Sequence, residues 1–192
     1  INVVSTMNAA STDNQIPHNV FLQGNLLYVS YYYDGLQVFD VSNPDFPRRV
    51  AYYDTSTEPN ISYFAGAWGV GASPIFFGDL VIQNCDAEGD SYLLAVNKST
   101  GKDVWRTPRK SKPKGGWSTP ILIDVDGRQE LVLNGEFGID AYDPQSGDHL
   151  WNCQGFNGRG TPVPAWDNKL LYVVNGKSGD VYAVQPGGKG NV

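Results

Sequence analysis

Three stretches of this 192-residue chain repeat one pattern: YLLAVNKSTGKDVW at Tyr92–Trp105, GIDAYDPQSGDHLW at Gly138–Trp151, and DVYAVQPGGKGNV at Asp180–Val192. Each is a short apolar run, a polar turn closed by glycine, and the start of a second run. A weaker copy, GLQVFDVSNPDFP, lies at Gly35–Pro47. Aligned on Asp40, Asn97, Asp143 and Gln185, the copies are spaced 57, 46 and 42 residues apart. A repeat of that length, made of strands and turns alone, predicts the blades of a β-propeller. The fold class expected is therefore all-β, with four four-stranded blades in one domain over 1–192, about 48 residues to a blade.

The composition supports this reading. With 22 glycines, 12% aromatic residues and one methionine, the chain suits many tight turns between short strands. No run of ten residues has an amphipathic helical period. The longest apolar stretch, Leu26–Tyr33, has strand length and is far too short to span a bilayer. The net charge of −6 argues against a nucleic-acid partner. The basic cluster Arg106, Arg109, Lys110, Lys112 and Lys114 reads as a solvated loop between blades, with contact to an anion or polymer the lesser reading. Cys85 and Cys153 lack CxxC spacing and a nearby histidine, which leaves both a disulfide between adjacent blades and two buried thiols open. The chain begins without a methionine or signal peptide, inside an apparent strand, and reads as a mature, excised or engineered segment.

Blade one is expected over His18–Thr55, with strands at Val20–Leu22, Leu26–Tyr31, Leu36–Val41 and Arg49–Tyr53. Asp34-Gly35 signals a tight hairpin, and the proline-rich Asn43–Pro47 punctuates the next turn. Blade two runs over Ala72–Thr107 and blade three over Ser118–Cys153. Both open with a small residue before proline, at Ser73-Pro74 and Thr119-Pro120, as blade four does at Thr161-Pro162. Blade four continues through Lys169–Val174 and Asp180–Val184, and the chain stops near its outermost strand. The β-branched Ile1–Thr6 is the expected donor of that strand, closing the ring without a long exposed edge. The alternative is a half-ring that a dimer completes to eight blades.

From Ala72 onward, GDLVI at Gly78–Ile82, AVNKSTGKDVW at Ala95–Trp105 and AYDPQSGDHLW at Ala141–Trp151 resemble the PQQ-like (quinoprotein-type) propeller repeat. The resemblance covers about 72–192 and implies that Trp105 and Trp151 dock between blades. The first 70 residues instead resemble the LVIVD-repeat propellers of bacterial surface proteins, through PHNV at Pro17–Val20, YVS at Tyr28–Ser30, DGLQVFDVSNP at Asp34–Pro44 and AGAWGV at Ala65–Val70. The seam near 70–72 raises a chimera of two propeller fragments, with a divergent natural repeat as the plainer alternative.

Dehydrogenases that bind PQQ carry, by that resemblance, a vicinal cysteine pair, a tryptophan floor and Glu/Asn/Asp ligands for calcium. Cys85 and Cys153 are separate and no such ligand set can be assigned, so no PQQ is expected. Asp86, Glu88 and Asp90 form an acidic turn with the oxygen chemistry of a weak Ca²⁺ site. Asp124-Val-Asp126-Gly127 lacks the further ligands of a calcium loop and reads as a hairpin. His18 starts an inner strand and can face the channel, whereas His149 sits at a repeat position that packing explains. No serine occupies a nucleophile elbow. Trp68, Trp117 and Arg159, just before inner strands, are placed at one mouth of the central channel, where they either stack on a ligand or plug the channel.

The sequence thus points to a non-catalytic scaffold or binding module of bacterial extracytoplasmic (periplasmic, surface or secreted) type, if not a recombinant one. Its partner would be a small molecule, glycan or protein, with no nucleic acid and no membrane span, and its assembly a monomer or homodimer. The rival is a quinoprotein-like oxidoreductase or a hydrolase acting at the channel mouth.

Overall fold

A computed structural model of the chain describes residues 17–31, 35–53, 71–87, 90–110, 113, 115–155, 160–174 and 180–191. The regular elements among them are strands. Sheet one contains β1 (Pro17–Gln23), β2 (Leu26–Tyr31), β3 (Gly35–Asp40) and β4 (Arg48–Tyr53). Sheet two contains β5 (Ile75–Phe77), β6 (Leu80–Cys85), β7 (Tyr92–Asn97) and β8 (Asp103–Pro108). Sheet three contains β9 (Ile121–Val125), β10 (Arg128–Asn134), β11 (Gly138–Tyr142) and β12 (His149–Gln154). Sheet four contains β13 (Ala165–Trp166), β14 (Leu171–Val174) and β15 (Val181–Val184). Each sheet is an antiparallel meander in chain order, the form of a propeller blade. No helix among the described residues is long and apolar enough to cross a membrane.

The apolar runs are nearly continuous because a middle blade is buried on both sides. In a strand, alternate side chains leave opposite faces. On one face of sheet two, Val81, Cys85, Tyr92, Leu94 and Val96 pack with Tyr28 and Leu36 of sheet one. On its other face, Leu80, Ile82, Leu93 and Ala95 pack with Leu131, Leu133 and Tyr142 of sheet three. The reverse face of sheet three supplies Ile123, Val132, Ile139, Ala141 and Trp151 to a core shared with Leu171, Val173 and Val184 of sheet four. Three apolar layers therefore fasten four blades in sequence.

The turn between a blade's last two strands explains the repeat motif. Asn97 Oδ1 accepts the N–H groups of Ser99 and Thr100, each at 3.0 Å, and Asp143 Oδ1 accepts those of Gln145 and Ser146 at 2.7 and 3.2 Å. These Asx bonds close the loop locally, and Gly101 (φ +67°) and Gly147 (φ +78°) take the left-handed conformation that follows. Gly147 carries a second demand. A Cβ there would stand 2.6 Å from both the Trp105 ring and Thr107 Oγ1. The half-buried Trp105 of sheet two thus docks on the turn of sheet three, its Nε1 donating to the Pro144 carbonyl at 3.3 Å. Trp151 is fully buried, and its Nε1 donates to the buried Glu130 Oε2 at 2.7 Å.

The Asp124–Gly127 segment is the hairpin expected: Asp126 (φ 53°) and Gly127 (φ 81°) both turn left-handed, and Val125 pairs with Arg128. The C-terminus differs from expectation. β16 (Gly190–Asn191) leaves sheet four and pairs parallel with β12, Trp151 opposite Gly190, making sheet three five-stranded. Pro186 has no N–H to extend a ladder and Gly187 (φ +94°) redirects the chain, so β15 has no outer neighbour among the described residues. The closing strand expected at Ile1–Thr6, and the family seam at its 70 side, lie outside the described residues.

The two turn glycines separate strain from collision. Gly101 has open space around its missing Cβ, so Gly101→Ala should destabilise by roughly 1–2 kcal/mol from backbone conformation alone. Gly147→Ala also drives a methyl into Trp105 and should exceed it by about 1–3 kcal/mol in denaturant unfolding. Equal losses for the two variants would contradict the docking of Trp105 on this turn.

Candidate functional site

One side of sheet three departs from the apolar rule towards its outer edge. Asp140 and Tyr142 leave the same face of β11, and their partners on β12 are Asn152 and His149, with Gln154 opposite Gly138. These side chains face the end of β8 in sheet two. Together with Thr107, Pro108 and Lys110 they enclose a cavity of about 250 Å³.

The cavity rests on a buried ionic cluster. The N–H of Arg109 donates to the Ser91 carbonyl at 2.8 Å, which prolongs the β7–β8 pairing past Pro108 and turns the side chain inward. Its guanidinium is 1% exposed, with Nε 3.0 Å from Asp86 Oδ1 and Nη1 3.0 Å from Asp140 Oδ2. Nη1 also donates to the Tyr142 hydroxyl. Asp140 Oδ1 in turn lies 3.0 Å from Nε2 of His149, whose ring meets Tyr142 edge-on at 5.2 Å. One cation thus ties two carboxylates of neighbouring blades, and an imidazole completes the second.

Three buried polar atoms beside this cluster have no hydrogen-bond partner: Arg109 Nη2, Asp86 Oδ2 and Asn84 Nδ2. Gly116 closes over the last two, since a Cβ there would stand 2.8 Å from Asp86 Cβ and 3.0 Å from Asn84 Nδ2. Burial of Asp86 raises its pKa to about 6, with Asp140 and Glu136 adding to the shift against the pull of Arg109. Burial disfavours the Arg109 charge too, but the carboxylates of Asp86 and Asp140 outweigh it and the pKa is raised. Tyr142 is raised by burial.

The basic cluster is therefore not a uniformly solvated loop. Arg106 lies in β8 with its guanidinium 4.2 Å from the Tyr92 ring centre, and Arg109 is buried; Lys110 is exposed as expected. The acidic turn is also divided. Asp86 is an ion-pair member, Asp90 is exposed and Glu88 lies outside the described residues. No three His, Cys, Asp or Glu among the described residues gather as metal ligands. Cys85 and Cys153 are free thiols on different sheets, Cys85 buried and pushed up to about 12 by that burial. Trp117 is half-buried with its ring against Gly115, while Trp68 and Arg159 lie outside the described residues. His18 is described as a backbone position in β1 only.

Alignment of the repeats carries the signal for this site. Asp140 corresponds to Gln37, Leu94 and Tyr182, while His149 and Asn152 correspond to Asp103 and Arg106. Blade packing tolerates apolar or neutral side chains where blade three has an aspartate.

No family model matches the chain. Parts of it are similar to three curated proteins: quinoprotein alcohol dehydrogenase PedH of Pseudomonas putida (36% identity over 87 residues), quinoprotein glucose dehydrogenase of Escherichia coli (33% over 64) and quinoprotein glucose dehydrogenase A of Acinetobacter calcoaceticus (31% over 85). These matches cover 40%, 33% and 44% of this chain but only 12%, 8% and 10% of those proteins. In structure the chain is similar to the computationally designed Ika4 protein, with TM-score 0.58 and 13% identity over 93% of this chain and 96% of that one. It is also similar to BamB from Moraxella catarrhalis, with TM-score 0.59 and 15% identity over 86% of this chain and 47% of that one. A europium-containing methanol dehydrogenase gives TM-score 0.52 and 16% identity over 80% of this chain and 30% of that one. The chain is a β-propeller protein. Part of it carries repeats similar to those of quinoprotein dehydrogenases.

The Asp86 shift has a readable sign. Its pKa of about 6 exceeds the ordinary 3.8, so the folded state holds the proton more tightly between those values. The associated stability is full below about pH 4 and lost as pH rises through 6, at up to about 1.4 kcal/mol per pH unit. Urea unfolding of Asp86→Asn should lack this component of the slope. A variant that retains the parent's full pH dependence over that interval would exclude Asp86 as its source.

Proposed function

We propose that this chain is a non-catalytic propeller module that binds a small ligand in the groove between sheets two and three. The observation that carries the reading is the state of the polar groups around His149. Asp140 holds the imidazole as it would a general base, yet the hydroxyl beside the groove, Thr107 Oγ1, donates to the Gly147 carbonyl at 2.7 Å. Among the described residues the threonine hydroxyl of the groove is thus turned away from His149, and we read the imidazole as a binding group whose position the ion pairs beneath it set.

On this reading the quinoprotein resemblance describes the blade and not a cofactor. The donor set does not fit the PQQ–calcium pair: the two thiols stand on separate sheets, and no three metal-ligating side chains converge among the described residues. The differing repeat styles before 70 and after 72 support recombination of two bacterial extracytoplasmic propellers, and the module is assigned to that compartment. Its partner is a small molecule, in preference to a glycan or a protein surface, because the groove holds only about 250 Å³.

Titration of the purified protein with PQQ and Ca²⁺ tests the non-catalytic reading. The absorbance spectrum should be the sum of the components, and no dye-linked alcohol or glucose oxidation should appear. A saturable one-to-one spectral shift accompanied by dye reduction would establish the oxidoreductase reading instead.

A further inference from the structure

Every internal joint of the series is built from two equivalent sets of side chains, and the chain ends with one set of each kind left over. In the joint to the following blade, sheet two buries Leu93 and Ala95, and sheet three buries Ile139 and Ala141. By the repeat alignment the same places in sheet four belong to Val181 and Ala183. These are exposed, Val181 by 67%. They pair across the sheet with Val174 and Tyr172, which alternate with the buried Leu171 and Val173 and so share the free face; each is 37% exposed.

The complementary set is left over on sheet one. In the joint to the preceding blade, sheet two supplies Val96, sheet three Tyr142 and sheet four Val184. The equivalent residue of sheet one is Phe39. It forms a small cluster with Val29, Leu27 and Val41 that no described residue of another sheet joins. The rings of Phe21 and Tyr28 contact Phe76 of sheet two, which turns Val20 and Leu22 towards this free face, where they stand 63% and 59% exposed. Grouped apolar residues at the two ends of one series mark interaction surfaces, unlike singly scattered ones.

The free side of sheet four is the kind that elsewhere receives a following blade, and the free side of sheet one is the kind that elsewhere receives a preceding blade. The series of joints therefore continues if a first sheet is placed after a fourth. Within the chain both faces remain exposed, so that first sheet comes from another molecule. We propose that a second copy of this chain supplies it, sheet one of each copy packing on sheet four of the other, with a twofold axis along the channel closing eight blades into one ring. A second copy offers both missing faces at once, whereas an unrelated partner would cover one and leave the other open. The arrangement also uses the joint twice, which divides the roughly 1,200–2,000 Å² buried in a stable complex between two apolar contacts. The groove between sheets two and three takes no part in this inference.

Sedimentation equilibrium of the full chain tests it. The expected mass is twice that of the chain. Leu22→Glu and Val174→Lys, one on each free face, should each weaken the dimer on the order of a hundredfold, because either buries an unpaired charge in both joints. Mixing the two variants should restore a dimer, since a mixed pair has one unaltered joint and one that opposes a carboxylate to an ammonium. Val104→Glu, similarly exposed but on β8 of sheet two, should leave the mass unchanged. Both variant positions are solvent-exposed in the chain, and unaltered circular dichroism shows that the blades stay folded. A monomer at every concentration overturns the proposal. A dimer indifferent to Val174→Lys, or one not recovered by mixing, overturns the pairing of sheet one with sheet four. An open series of larger assemblies overturns the closed ring.

Discussion

The architecture depends on one constraint: a blade of this size has two faces and can bury neither by itself. Strands that alternate between two apolar faces gain stability only when sandwiched, so each blade is folded by its neighbours. Sheets two and three show this completely, with Leu80–Cys85 buried at every position. The outer members of the series behave differently. Val20 and Leu22 on β1, and Val181 on β15, remain more than half exposed. Burial of apolar side chains thus falls towards both ends of the series of described sheets.

Against that background the Arg109 cluster is an exception placed at a junction. An arginine suits it where a lysine would not. Its fixed fork of donors reaches Asp86 on its own blade, and both Asp140 and Tyr142 on the next, from one rigid plane. The result links the end of β6 to β11 through one guanidinium, and displacing either carboxylate breaks its bond to Arg109. The incomplete bonding of Asp86 Oδ2 and Arg109 Nη2 keeps the cluster from being a purely stabilising device.

Much of the fold was legible because its determinants are local. The strand at Leu26–Tyr31 and the Asx–glycine turns at Asn97 and Asp143 depend on residues adjacent in sequence, and the structure has them where the repeat puts them. The site was less legible because its determinants are not local. A run containing Arg106, Arg109 and Lys110 reads as one basic loop until the pairing of Arg109 N–H with Ser91 divides it into strand, buried ion and surface lysine. Asp86 likewise looks like its acidic neighbour Asp90, yet it is fully buried, with Gly116 and Arg109 packed against it. The repeat position of His149 speaks only for packing, and it does pack on Tyr142; its bond to Asp140 follows from cross-strand pairing that sequence spacing does not supply. The misaligned aspartate in an otherwise apolar or neutral repeat column was the available clue.

Blades that radiate from a common axis diverge at their outer strands, and the gap must be filled by long side chains or left open. At one end of the gap between sheets two and three, Trp105 fills it by resting on Gly147, and Thr107 seals the contact through the Gly147 carbonyl. Between sheets three and four the same duty falls to Trp151, fully buried, with β16 added along the outer edge. At the other end of the gap between sheets two and three no tryptophan lines the cavity among the described residues. Arg109 occupies the narrow part and His149 lines the wide part, so the space that remains is polar and opens to solvent beside Lys110. The groove is therefore a consequence of blade geometry, and its chemistry a consequence of which residues blade three places along it.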